Sequence, residues 1–200
     1  MRQRRFWIVV PAQAFDRGKT RLASVLSTEE REAVSRRWFR HVVSSARRVA
    51  SHVLVISRSA QVLGLARRLG ARASKESRPG LNPAAQQGAW MARRHGASGV
   101  LVVHADLPEL QASELARLIS ALARHDGVAL APDRDRDGTN AIAVRSSRPF
   151  RYRFGPSSFR RHLAESRRLR LRPRALTLPG VSRDVDSPGQ YQALPDLHKN

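Results

Sequence analysis

Short apolar runs alternate with longer amphipathic stretches along most of the chain. That alternation constrains the fold more than any single motif does. FWIVV (6–10), HVLVIS (52–57), VLVVHAD (100–106), VALAP (128–132) and AIAV (141–144) read as buried strands. Between them, residues 28–49, 59–69, 84–95 and 112–125 carry apolar side chains at helical spacing. In the first of these, Val34, Trp38, Val42, Ala46 and Val49 share one face. Ser27 with Glu30 predicts a capping box at its start, and Pro83 suits a first helical turn. Residues 157–168 predict a further helix, ALTL (175–178) a late strand, and the segment after Pro188 a final helical turn. Strands alternating with helices specify the α/β class, a three-layer sandwich around a mostly parallel sheet. No repeat or linker divides residues 1–200, so one domain is expected.

Composition narrows the chemistry. There is no cysteine, which excludes disulfides, zinc–thiolate sites and a thiol nucleophile. No apolar run approaches the ~20 residues of a membrane-spanning helix. The basic N-terminus precedes only FWIVV, too short for a signal peptide, so a cytoplasmic protein is expected. Lysine and arginine number 37 against 16 acidic residues, giving a net charge of +21. Such a surface suits nucleic acid or a small polyanionic substrate. The arginines are dispersed, and no aromatic residues interleave with them as a stacking platform requires. A polyanionic small molecule is therefore the preferred partner.

In a parallel sheet, ligands lie beyond the carboxyl ends of the strands. That rule directs attention to residues 11–21 and to Asp106, which should face one edge. FDRGKTRLA (15–23) contains Gly18-Lys19-Thr20, the end of a Walker loop, but Gln13 stands where that loop needs its first glycine. A different phosphate site, with Lys19 and Arg21 as charge partners, stays open. Asp106 ends an apolar run and could hold a hard cation or cap a turn. Asp184 and Asp186, in SRDVDSPG, fall on one face of an extended backbone. The three acids together could make a magnesium site. Thr139, in Gly138-Thr139-Asn140, could donate to a phosphate or serve a plain turn. Gly155, Ser157 and Ser158 precede a helix and suit either an anion or a cap. Gly80-Leu81-Asn82 could bring an amide to a base. The seven histidines show no metal-ligand spacing.

The order of these blocks is VVP…GKTRLA, GLN, ADLP, GTNA, FGPSSFRRH and DVDSP, over residues 9–188. It resembles the 2-phospho-L-lactate guanylyltransferase family, CofC- or FbiD-like, of coenzyme F-420 biosynthesis. The resemblance implies a single-domain nucleotidyltransferase fold, Rossmann-like and GT-A-like. It implies transfer of GMP from GTP to 2-phospho-L-lactate, phosphoenolpyruvate or 3-phosphoglycerate, with release of pyrophosphate. By position, Asp106, Asp184 and Asp186 match the family's Mg²⁺ acids. Lys19 matches a catalytic contact, and Thr139, Gly155 and Ser158 match substrate contacts. Arg21 and Asn82 match the nucleotide side. Gln13 departs from the lysine common at that place. Other acceptors of the same fold, a molybdopterin or a sugar phosphate, and a basic nucleic-acid-binding module are the alternatives. A homodimer is compatible with the sequence.

Overall fold

The computed structural model describes residues 6–122, 127–145 and 147–195. Its centre is a sheet of seven strands: β1 (Phe6–Pro11), β2 (His52–Ser57), β3 (Arg72–Lys75), β4 (Gly99–Val103), β5 (Gly127–Pro132), β6 (Thr139–Arg145) and β7 (Arg172–Ala175). Their order across the sheet is β3-β2-β1-β4-β6-β5-β7. All neighbours pair in parallel except β6, which runs antiparallel to both β4 and β5. The central strands are apolar on both faces, as a sheet covered on two sides requires.

One face carries α1 (Thr28–Val49), α2 (Ala60–Arg68), α4 (Ala112–Ser120) and the short α6 (Pro179–Ser182). The other carries α3 (Leu81–Arg94) and α5 (Ser158–Arg168). A last short helix, α7 (Pro188–Gln192), joins a small cluster of Val34, Trp38, Val185 and Leu194 beside α1. The expected capping box at Ser27 and Glu30 is present. Helix α3 lies so close to the sheet that a Cβ on Gly88 would collide with Val9.

The structure corrects several boundaries. β4 ends at Val103, so Asp106 sits in the loop beyond the strand rather than on its last residue. Helix α3 starts at Leu81, with Pro83 inside its first turn. The late strand is Arg172–Ala175, not 175–178, because RPRA is the stretch that pairs with β5. Helix α4 closes at Ser120, and the predicted residues 123–125 lie outside the described residues. No described helix is long and apolar enough to cross a membrane.

Candidate active site

The carboxyl ends of β1, β2, β3 and β4 open onto a cleft of about 1140 Å³. Its floor is built by the loop after β1, which makes two single 3-10 turns, Phe15–Arg17 and Thr20–Leu22, in place of an immediate helix. Lys19 lies between them in the left-handed conformation, at φ 56°. A non-glycine residue rarely adopts this backbone, and such strain concentrates at functional positions. The twist carries the Lys19 side chain inward over the Trp38 ring, 5.5 Å from its centroid.

The Lys19 ammonium donates to Asp106 Oδ2 at 2.5 Å and to Asp186 Oδ1 at 3.0 Å. Its side chain is only 6% exposed, while those of Asp106 and Asp186 are 37% and 50% exposed. Burial alone would lower the lysine pKa. The charges and hydrogen bonds of the two aspartates outweigh burial and hold it above the ordinary value. Burial likewise works to raise Asp106, but Lys19 and then His104 bring it below the usual carboxylate value.

Asp184 shifts the other way. Burial, the charge of Asp186 and the charge of Asp106 raise it, against a hydrogen bond from Asn140. The signs set the pH response. Lys19 stabilises the fold fully below about pH 10.4, its unfolded value, and loses this as pH rises through its raised folded value. Asp106 stabilises above about pH 3.9 and loses this as pH falls through its depressed folded value. Acid titration monitored by melting temperature should therefore show stability declining below about pH 4.

The two C-terminal aspartates reach the cleft because the backbone alternates. Asp184 and Asp186 line the cavity, whereas Val185 between them is buried against Val34 and Trp38. Both ends of this segment are tied down. Before it, Gly180 N donates to Glu114 Oε1 at 2.8 Å, and Asn140 Nδ2 donates to Val181 O at 2.9 Å. After it, Gln190 Oε1 accepts from the backbone N–H groups of Asp186 and Ser187.

Three expected metal ligands thus converge on one cleft, but not as a preformed cage. Among the described residues, no group of three His, Cys, Asp or Glu is assembled to hold a metal ion. Lys19 is instead the cation spanning Asp106 and Asp186. The donor chemistry fits Mg²⁺ all the same. These are hard carboxylate oxygens, and Asp184 is raised first by burial and then by the like charges of Asp186 and Asp106. Mg²⁺ needs only one or two protein carboxylates when phosphates and water complete its shell.

The remaining candidates stand apart from the residues that line this cleft. Arg21 is exposed on the second 3-10 turn, while Arg17 and Arg58 do line the cavity. Asn82 uses its amide as a clamp, Nδ2 donating to Phe154 O at 3.1 Å and Oδ1 accepting from Phe154 N at 2.6 Å. Asn82→Ala would strip both groups of Phe154, at roughly 1–3 kcal/mol for each buried group left unpaired. Urea denaturation should show that loss; unchanged stability with a raised nucleotide KM would return Asn82 to the nucleotide.

Thr139 is buried as the first residue of β6. Its Oγ1 lies 3.1 Å from His162 Nδ1. His162 Nε2 accepts from Arg153 N at 2.9 Å, so Nδ1 carries the proton and donates to Thr139. Burial lowers the His162 pKa to about 4, which keeps it neutral near pH 7. Ser158 is buried at the start of α5, after the positive φ of Gly155 and Ser157. Asp137 anchors that start by accepting from Ser157 N and Oγ. Sequence reading passed over His104, Arg58 and Glu76, all cleft residues. Only their place just after a strand could have marked them.

A family model described as guanylyl transferase CofC like matches residues 6–194. A phosphoenolpyruvate guanylyltransferase of Sphaerobacter thermophilus is 38% identical over 188 residues, covering 93% of this chain and 90% of that protein. In fold, the chain is similar to a solved protein classed with the nucleotide-diphospho-sugar transferases, from Desulfovibrio desulfuricans G20. The TM-score is 0.75 at 17% identity, covering 91% of this chain and 82% of that one. It is also similar to a nucleotidyl transferase from Methanothermobacter thermautotroptrophicus, with a TM-score of 0.61 at 14% identity, covering 96% and 97%. The family match spans every residue that lines the cleft, and the chain belongs to the CofC-like guanylyl transferases.

Proposed function

We propose that this protein transfers GMP from GTP to phosphoenolpyruvate, releasing pyrophosphate, as a cytoplasmic step of coenzyme F-420 biosynthesis carried out by one domain. The observation that carries the reading is Lys19 held between Asp106 and Asp186 in the cleft. The acceptor follows from relatives named phosphoenolpyruvate guanylyltransferase at 38% and 35% identity. 2-Phospho-L-lactate and 3-phosphoglycerate are the acids to compare with it.

In this mechanism an oxygen of the acceptor phosphate attacks the α-phosphorus of GTP. The bond from that phosphorus to the pyrophosphate oxygen breaks in line. The attacking oxygen is already ionised near neutrality, so no side chain has to take a proton. What the chain must do is hold two anions together, and positioning with fixed charge supplies that. Arg17 and Lys19 bring cations to the triphosphate, and Gln13 lines the same loop as a neutral group. Asp106, Asp184 and Asp186 would hold Mg²⁺, which when bound neutralises charge on the phosphate oxygens.

A pyrophosphate-release assay tests the whole reading. GTP with phosphoenolpyruvate should give turnover that EDTA abolishes and Mg²⁺ restores. No release with any of the three acids would overturn it. Nucleic-acid binding should be weak, indifferent to sequence and lost steeply with salt, as titration of a labelled duplex will show.

A further inference from the structure

Glu76 sits at the far end of the same cleft, immediately after edge strand β3. Its backbone N donates to Ser57 O at 2.9 Å, which fixes it beside the end of β2. Its carboxylate Oε1 accepts from Gly80 N at 2.7 Å. Gly80 has φ 120°, a backbone that suits glycine, and it caps α3. The side chain is thus held at one oxygen by a loop shaped to reach it. Its other oxygen has no hydrogen-bond partner among the described residues.

β3 and β4 are three strand positions apart, about 14 Å at ~4.8 Å per strand. A nucleotide whose phosphates lie at Lys19 and Asp106 extends its base across β1 and β2 toward β3. The walls there are Ala60, Pro79, Leu81 and Ala84, apolar surfaces suited to the flat faces of a ring. Among the other acids of the cleft, Asp106 and Asp186 are paired with Lys19 and Glu32 with Arg36 at 2.6 Å, Asp184 lies beside the two aspartates at Lys19, and Asp16 is exposed on the first 3-10 turn.

We infer that Glu76 reads the guanine base, its free oxygen accepting from the ring N–H and exocyclic amino group of the nucleotide. The inference rests on the proposed function and deepens it by naming what selects GTP. Guanine offers two donors side by side on one edge, and a carboxylate is the side chain with acceptors only. Adenine presents an acceptor at the ring position and would meet the carboxylate with like polarity. Inosine keeps the ring donor and lacks the amino group. Arg58, in the same half of the cleft and without an ion pair among the described residues, suits the acceptor O6 and N7 atoms of guanine.

The test is calorimetric binding of GTP, ITP and ATP to the full chain with Mg²⁺, alongside pyrophosphate release with phosphoenolpyruvate. A hydrogen bond to a charged group is worth roughly tenfold or more in affinity. Wild type should bind GTP about tenfold more tightly than ITP, and ATP more weakly still. Glu76→Gln should bring the GTP-to-ITP ratio close to one by weakening GTP about tenfold while ITP changes little. Its amide oxygen can still accept from Gly80, which preserves the loop. Equal wild-type affinity for GTP and ITP overturns the inference, whether or not the variant folds. So does a GTP-to-ITP ratio in the variant equal to that of wild type. Tight, selective GTP binding without pyrophosphate release would sustain Glu76 and sink the acceptor assignment instead.

Discussion

Lys19→Met should lower kcat/KM by at least about 10²–10³, the cost of removing one charge-stabilising donor from a reaction centre. Its effect on stability is the more revealing half. Wild type places one ammonium among three carboxylates, and the variant leaves Asp106, Asp184 and Asp186 facing one another with no cation. Breaking a fully buried pair costs roughly 3–5 kcal/mol. Asp106 and Asp186 are 37% and 50% exposed, so solvent screens them and about 1–2 kcal/mol is expected. Magnesium should then raise the melting temperature of Lys19→Met more than that of wild type, because the metal supplies the missing charge. Equal magnesium responses, read by calorimetry, would show that Lys19 and the metal do not share these carboxylates.

Asp184→Asn should separate activity from stability. Ionised Asp184 is held near two like charges in a partly buried place, and its raised pKa means that folding favours its protonated form. The group is stabilising while protonated, and this is lost as pH rises through its raised folded value. At neutral pH the neutral amide relieves the repulsion while leaving a partner for Asn140. The variant should melt higher than wild type near pH 7, and the difference should vanish in acid, where Asp184 is protonated anyway. A gain of ~1 kcal/mol corresponds to about 2–4 °C in a chain of this size. Turnover should nevertheless fall by about 10² or more, since a metal-binding oxygen has been made neutral. A variant that is less stable at neutral pH, or as active as wild type with magnesium limiting, would remove Asp184 from the site.

How far the fold was legible depended on burial. The strands β1, β2, β4, β5 and β6 are apolar on both faces and announced themselves. RASK, which forms β3, and RPRA, which forms β7, are the two edges of the sheet. Their exposed and half-exposed residues leave no apolar run to detect, and Pro173 is tolerated because β7 has one neighbour only. In the site, the strand-end rule correctly united Lys19 and Asp106. The D-x-D alternation correctly put Asp184 and Asp186 on the same side, since Val185 is an obvious core residue. Asn82 and Thr139 show the limit. Their polar side chains satisfy Phe154 and His162, partners far away in sequence, and nothing in either tripeptide announces that.

The single reversed strand has an evolutionary consequence. Because β6 runs against β4 and β5, the chain arrives at the ligand edge along β5 and departs along β6 without a crossover helix. The connection is the short turn 133–138, closed by Asp133 accepting from Asp137 N and Gly138 N. After β1, β2, β3 and β4 a helix makes the return journey, so altering those loops shifts a layer of the sandwich. This turn returns directly into the sheet, and through Asp137 it also holds the start of α5. Its exposed tip, Arg134 and Asp135, can change beside the ligand edge while Asp133 keeps the turn closed and Asp137 keeps α5 anchored. A lineage adapting to a new substrate has here its least disruptive place to vary, and a library confined to Arg134 and Asp135 is the corresponding way to retrain the enzyme.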